Sequence, residues 1–157
     1  MITKKLQKIY IDTSVFGGCF DKEFKHPSNM LIKKLISGDL LTIISEITEI
    51  EMSKAPDKVK QLFKEIPELN IIKCDLSNES IYLSERYIIE GIISSKYKSD
   101  AQHIAIATIF KADAIASWNF KHIVNLQRIR GFNSVNLKYG YPFIEIRTPW
   151  EVLSYEE

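Results

Sequence analysis

Four polar side chains lie at predicted strand ends or on helices that begin near strand ends. Asp12 ends the apolar stretch KIYIDT, Glu51 lies in ITEIE, Asp100 opens SDAQHIAIA, and Asn119 follows ADAIAS. Carboxylates that converge on one pocket repel each other and do not ionise together without a cation. Oxygen donors of this kind suit Mg²⁺ or Mn²⁺. The pattern therefore predicts a divalent-metal site to which Asp12, Glu51 and Asp100 contribute.

Each of these residues also has a purely structural interpretation. An aspartate in D-T-S commonly caps a turn, so Asp12 could simply close the stretch before it. Glu51 could complete a capping box with Thr48, and Asp100 could complement a helix dipole. Asn119 could be a turn residue. The metal-site prediction depends on the fold bringing all four together.

Apolar and amphipathic stretches alternate along the chain. The stretches KIYIDT, LLTIIS, NIIKCD and ADAIAS predict strands, and VNLKYG and FIEIRT are expected to supply shorter pieces. Helices are predicted for NMLIKKLISG ended by Gly38, EITEIEMSKA capped by Ser45, DKVKQLFKEI, residues 79–94, and residues 100–111 behind a Ser99–Gln102 capping box. This order predicts an α/β fold: a mainly parallel sheet with helices on both faces. Ligands bind such sheets beyond the carboxyl ends of the strands, where Asp12 is expected.

Composition sets the broad class of the protein. A chain of 157 residues that is 45% hydrophobic and 26% charged predicts one globular domain over residues 1–157. We expect no membrane span and no signal peptide. Cys19 and Cys74 suggest neither a disulfide framework nor a zinc site, so a cytoplasmic protein is expected.

The charge is unevenly distributed. The net charge is only +1, yet residues 96–147 hold eight Lys or Arg against three acids, a local charge of +5. A basic surface there, including Lys121, Arg128 and Arg130, could follow a polyanion. A solvated lysine-rich face explains the charge alone equally well.

The chain resembles PIN-domain proteins of the kind found among VapC-type toxins of bacterial toxin–antitoxin pairs. IYIDTSVFGG is similar to the first motif of that family, and ITEIE to the segment that carries its glutamate, which maps best onto Glu51. SDAQHIAIA resembles the third motif and ADAIASWNFKHIVN the strand and turn of the fourth. The resemblance covers nearly the whole chain, and its last two segments are its most specific part.

The resemblance implies a three-layer α/β/α sandwich and Mg²⁺- or Mn²⁺-dependent RNA cleavage. It maps the catalytic set onto Asp12, Glu51, Asp100 and Asn119, with the three acids as metal ligands. A small antitoxin partner and a homodimer are implied as well. One position departs from the family, since many members have an aspartate where this chain has Asn119. That change removes a charge and leaves a second metal site in doubt.

Several neighbouring residues have more ordinary predicted roles. His103, one helical turn after Asp100, is expected to hydrogen-bond to the site from behind. Trp118 and Phe120 could stack a base, but packing against the core is the favoured interpretation. Gly17 and Gly18 are expected to relax the turn that presents Asp12, and Asp113 is expected to be a turn or surface residue.

Two other functions fit part of the pattern. A metal-dependent phosphatase also carries an Asp after its first strand, but it usually needs a second Asp two residues later, where this chain has Ser14. A non-catalytic RNA- or protein-binding module on the same fold is the other alternative, for which Asn119 is the only hint.

Overall fold

A computed structural model describes residues 5–154 of the protein. Within this range one five-stranded sheet has the order β3-β2-β1-β4-β5, and every neighbouring pair is parallel. The strands are β1 Lys8–Ile11, β2 Leu41–Ser45, β3 Ile71–Cys74, β4 Ala114–Ala116 and β5 Ile146–Arg147. The four strands predicted from apolar stretches are confirmed, and FIEIRT supplies β5.

Eight α-helices connect and cover the strands in the described part of the chain. They are α1 Thr13–Gly18, α2 Lys25–Ser37, α3 Glu46–Ser53, α4 Asp57–Lys64, α5 Asn78–Ile89, α6 Lys98–Ile109, α7 Leu126–Lys138 and α8 Pro149–Ser154. None of the helices found within residues 5–154 has the length and apolar character needed to cross a membrane.

The two faces of the sheet carry separate apolar cores, because successive side chains of a strand point to opposite faces. On β1, Tyr10 belongs to the core beneath α5, α6 and α7, whereas Ile9 and Ile11 belong to the core beneath α1, α2, α4 and α8. Helices therefore cover both faces, and the predicted three-layer α/β/α architecture is confirmed.

Some predicted helix ends are right and others are wrong. Gly38 ends α2 in a left-handed conformation, φ +84°, and Ser45 caps α3 by accepting from the Thr48 backbone N–H. The Ser99–Gln102 capping box is wrong. A short 3₁₀ turn over Ser95–Tyr97, capped by Ser94, runs directly into α6, so Ser99 already lies inside the helix.

Three other local predictions differ from the structure. Helix α5 ends at Ile89 rather than near residue 94, because Gly91 takes a left-handed conformation, φ +78°, just beyond it. VNLKYG mostly forms the end of α7. Gly17 and Gly18 end α1 instead of relaxing a turn at Asp12, and a Cβ on Gly18 would lie 2.7 Å from Ser28 Oγ.

The strand order creates a crevice at one edge of the sheet. The chain moves outward from β1 to β2 and β3, and then returns to place β4 on the other side of β1. Such a switch point opens a space between the carboxyl ends of two neighbouring strands, β1 and β4 here. Ile11 pairs with Ala116, so the residues that follow them, Asp12 and Ser117, lie together at that edge.

Candidate functional site

Asp12 lies at the carboxyl end of β1 and is buried, with 4% of its surface exposed. Its backbone N–H donates to the Ala116 carbonyl at 3.0 Å, which extends the pairing of β1 with β4 by one residue. One carboxylate oxygen, Oδ2, accepts from Ser14 Oγ at 2.6 Å and from Ser117 Oγ at 2.8 Å. The side chain makes no capping hydrogen bond to α1, so the turn-cap interpretation does not explain it.

The same two serines fix the loop that follows β4. Ser14 Oγ accepts from the Trp118 backbone N–H at 3.0 Å, and Ser117 Oγ accepts from the Asn119 backbone N–H at 2.9 Å. Each hydroxyl therefore donates to Asp12 and accepts from the loop. The position of Asp12 and the path of residues 117–119 are set by one hydrogen-bond network.

Glu51 reaches the site from α3 and is half-buried. Its Oε1 atom accepts from Thr13 Oγ1 at 2.9 Å and pairs with His103 Nε2. Burial opposes ionisation of Glu51, but the hydrogen bond and charge of His103, with the Thr13 hydroxyl, hold its pKa below the ordinary value. Thr48 instead pairs with Ser45 in the α3 capping box, so that box does not involve Glu51.

His103 is fully buried behind the carboxylates. Its Nδ1 atom lies 2.5 Å from Tyr10 Oη, which lies 2.7 Å from Ser45 Oγ, and its Nε2 atom is 3.9 Å from Asp12 Oδ1. Burial alone would lower the pKa of His103, but Tyr10, Glu51 and Asp12 raise it well above the ordinary value. The predicted supporting role of His103 matches these contacts.

Asp100 lies in the first turn of α6 and completes the acidic group. Burial, together with the charges of Asp12 and Glu51, raises the pKa of Asp100 to about 6. His103 and Asn119 act in the opposite direction. Asp12 and Glu51 both approach His103 Nε2. Asn119, which bonds Ser117, also reaches Asp100. The three acids therefore lie at the same edge of the sheet, although they come from separate elements of the fold.

Asn119 contacts this group through its amide nitrogen. Its Nδ2 atom lies 3.5 Å from Asp100 Oδ2, while its Oδ1 atom accepts from the His122 backbone N–H at 3.0 Å. The carbonyl oxygen that could bind a metal therefore shapes the turn, and the amide faces the acid. Asn119 is at the site, in a position suited to orienting Asp100.

The donor set decides how a metal could fit. Among residues 5–154, no group of three or more His, Cys, Asp or Glu side chains is arranged to hold an ion. Glu51 is turned toward His103 and Thr13, which leaves Asp12 and Asp100 as the carboxylates best placed to bind a cation. Two carboxylates fit Mg²⁺, which keeps several waters and is commonly bound through one or two acids and substrate phosphates.

Comparisons with known proteins add information about the fold. No family model and no curated protein matches this chain. A chain of the crystal structure of VapBC2 from Rickettsia felis, bound to a DNA fragment from their promoter, matches with a TM-score of 0.53 and 14% identity. The match covers 90% of this chain and 98% of that chain. The two chains share a fold.

Aromatic residues adjoin the site, and basic residues follow it along the chain. Trp118 is buried and donates from Nε1 to Ser28 Oγ at 2.8 Å, so the predicted packing role holds for it. Phe120 remains 49% exposed, so the predicted packing against the core describes it only in part. Lys121 and Arg130 are exposed, whereas Arg128 donates to the Ile92 carbonyl.

Sequence reasoning missed the hydroxyl residues of the site. Thr13 and Ser14 were visible as the two hydroxyl residues after Asp12, and Ser117 could have been found from its place directly after β4. Tyr10 and Ser45 gave weaker signals, as polar side chains within apolar strands. Tyr10 Oη contacts both Ser45 and His103, which joins three distant parts of the chain and has no spacing signature.

Proposed function

We propose that this protein is a metal-dependent endoribonuclease with a PIN-like active site, and that it is the toxin of a type II toxin–antitoxin pair. The observation that carries the proposal is the convergence of Asp12, Glu51 and Asp100 at the switch point of a parallel sheet. The resemblance of the motifs to VapC-type toxins, and the fold shared with a VapBC2 chain, favour RNA as the substrate.

In this proposal Asp12 and Asp100 hold one Mg²⁺ or Mn²⁺ ion. When bound, such an ion lowers the pKa of a water molecule and neutralises charge on phosphoryl oxygens. Ser14 and Ser117 both bond Asp12 Oδ2, whereas Asp12 Oδ1 lies 3.9 Å from His103 Nε2. Neutral Asn119 supplies no charge for a second ion.

Glu51 and His103 have linked roles in the proposed reaction. The lowered pKa of Glu51 favours its ionised form, so Glu51 would be able to orient a water molecule near the phosphate. His103 fixes the Glu51 carboxylate, and Tyr10 fixes the His103 ring. No Ser, Cys or His nucleophile is required, since water attacks the phosphate.

The phosphatase alternative has less support. Its chemistry would make Asp12 the nucleophile and needs an acid at position 14. Ser14 occupies that place and donates to Asp12 Oδ2 at 2.6 Å, which makes that oxygen a weaker nucleophile. The non-catalytic alternative gains some support from the donor amide of Asn119, and an activity assay separates it from the nuclease.

The test uses the purified protein with a mixed RNA pool and, separately, a phosphate monoester. We expect RNA cleavage with Mg²⁺ or Mn²⁺, none after chelation, and no turnover of the monoester. Hydrolysis of the monoester alone would support a phosphatase, and no hydrolysis of either would support the binding module. RNA cleavage that survives chelation would contradict the metal-dependent mechanism.

The toxin assignment predicts a partner and a place of action. We propose a small antitoxin protein as the partner, a homodimer as the assembly and the cytoplasm as the location. Expression in bacteria should arrest growth, and co-expression of a small protein encoded next to this one should relieve the arrest. Unimpaired growth with an active nuclease would instead indicate a housekeeping enzyme.

A further inference from the structure

An aromatic cluster lies next to the acidic site. Phe24 stacks on Trp118 with ring centroids 4.2 Å apart and an angle of 18° between the planes. Phe120 lies against both, with its centroid 6.1 Å from Phe24 and 6.2 Å from Trp118. We call these three residues the aromatic step. Its Trp118 ring is buried, whereas Phe120 is 49% exposed and Phe24 is half-buried.

The step is built into the network that holds Asp12. Ser14 Oγ bonds both Asp12 and the Trp118 backbone, and the Phe120 backbone N–H donates to the Trp118 carbonyl at 2.9 Å. Asn125 Nδ2 then donates to the Phe120 carbonyl at 2.9 Å. The backbone of Phe120 is therefore fixed on both sides, one residue from Asn119. A half-exposed ring on a fixed backbone beside an acidic site is placed to contact a ligand of that site.

We propose that Phe120, supported by Phe24, stacks an unpaired nucleobase of single-stranded RNA next to the cleaved phosphate. Stacking on an aromatic ring is open to every base, because each base has a flat π-face. The exposed Lys121 beside Phe120 and Lys25 beside Phe24 complement the phosphates of such a strand, although Glu23 lies on the other side of Phe24. Duplex RNA hides its base faces, so the step selects single strands.

This inference rests on the proposed function, so its test measures binding rather than cleavage. The experiment measures fluorescence anisotropy of a labelled single-stranded RNA 12-mer in EDTA, where metal-dependent cleavage is suppressed. A second probe has the same length but abasic ribose at every internal position, and a third is the duplex. The proteins are wild type, Phe120→Ala, Phe120→Trp and Phe143→Ala. Phe143 is a matched control, since it is 57% exposed and precedes β5, at the amino ends of the strands and away from the acidic site.

We expect Phe120→Ala to weaken binding of the single strand by on the order of 10-fold, as alanine substitutions at base-stacking residues do. Phe120→Trp should bind at least as well as wild type, and Phe143→Ala should be unchanged. The abasic and duplex probes should bind weakly and equally to wild type and Phe120→Ala. Thermal melts confirm that each variant is folded.

Three outcomes would overturn the stacking proposal: no binding of the single strand by wild type, equal binding by wild type and Phe120→Ala, or equal losses with the single-stranded and abasic probes. Failure of the proposed function is distinguishable from these. A protein that binds RNA through Phe120 but never cleaves it with Mg²⁺ or Mn²⁺ supports the stacking proposal and contradicts the proposed nuclease. A nuclease whose RNA binding does not depend on Phe120 supports the proposed function and contradicts the stacking proposal.

Discussion

Two aspartates at opposite edges of the same strand pair have very different surroundings. Asp12 follows β1 and accepts from Ser117, the residue after β4; Asp113 precedes β4 and accepts from the backbone N–H of Lys8, the first residue of β1, at 2.7 Å. Asp12 is buried among other acids, whereas Asp113 is exposed, as the sequence predicted. Both help to join β1 to β4, but Asp12 shares its surroundings with His103, Glu51 and Asp100.

The difference shows at which edge of the sheet the fold buries charge, at a cost in free energy. Burying a carboxylate is expensive unless partners satisfy it, and like charges nearby add to that cost. At the amino edge, a single exposed hydrogen bond suffices for Asp113. At the carboxyl edge two serines, a buried histidine and a tyrosine support the acids. Such support is the pattern expected for a binding site rather than for a strand junction.

Replacing each aspartate by asparagine gives the largest expected difference between the two edges. Asp12→Asn should reduce RNA cleavage by at least ~100-fold, because even outer-shell partners of a metal are commonly worth ~10–100-fold. Asp113→Asn should leave the cleavage rate unchanged, since it lies at the far edge. Initial rates on one RNA, with melts to confirm folding, check this. Comparable activity of Asp12→Asn and wild type would remove the basis for the site.

The second largest effect is expected from the close packing around Gly18, behind the carboxyl edge of the sheet. A methyl group added at Gly18 would lie 2.7 Å from Ser28 Oγ and 2.9 Å from the Trp118 ring, whereas nothing lies within 4 Å of one added at Gly17. Gly18→Ala should therefore lower the free energy of unfolding by about 1–3 kcal/mol. Gly17→Ala should have no destabilising effect. Urea denaturation of both variants measures this, and equal stability would show that the loop yields easily.

The smallest of the three effects is expected from Asp100→Asn, which should stabilise the metal-free protein. The pKa of Asp100 is raised to about 6 from 3.8, so the folded state binds the proton more tightly than the unfolded state. The resulting stability is present below pH ~4 and lost as the pH rises through about 6. After allowance for solvent screening and the helix dipole, the variant should gain about 1 kcal/mol near pH 7.5 and little at pH 4.

Thermal melts in EDTA at the two pH values test this prediction. A gain of about 1 kcal/mol corresponds to a melting temperature ~2–4 °C higher for a chain of this size. If Asp100→Asn melts well below wild type near pH 7.5, Asp100 is a structural residue of the α6 start and the carboxylates do not repel one another.

Much of the framework could be predicted from the sequence because its signals are local. The apolar stretches predicted the strands. Because parallel strands place their carboxyl ends together, Asp12 was correctly expected at the carboxyl edge of the sheet. The start of α6 could not be predicted in the same way. The sequence at Ser99 fits a capping box, but the 3₁₀ turn that begins at Ser95 runs into the helix before it. One partner of Glu51, His103, is 52 residues away, and only the folded chain brings them together.

Isothermal titration of Mn²⁺ into the protein without RNA is the most direct test of the proposed metal site. We predict saturable binding of one ion per chain in wild type. Binding should be lost in Asp12→Asn and retained, though weakened, in Glu51→Gln, because Glu51 is turned toward His103 and Thr13. A wild-type protein that binds no Mn²⁺, or an Asp12→Asn variant that binds it as tightly as wild type, would contradict the proposed site.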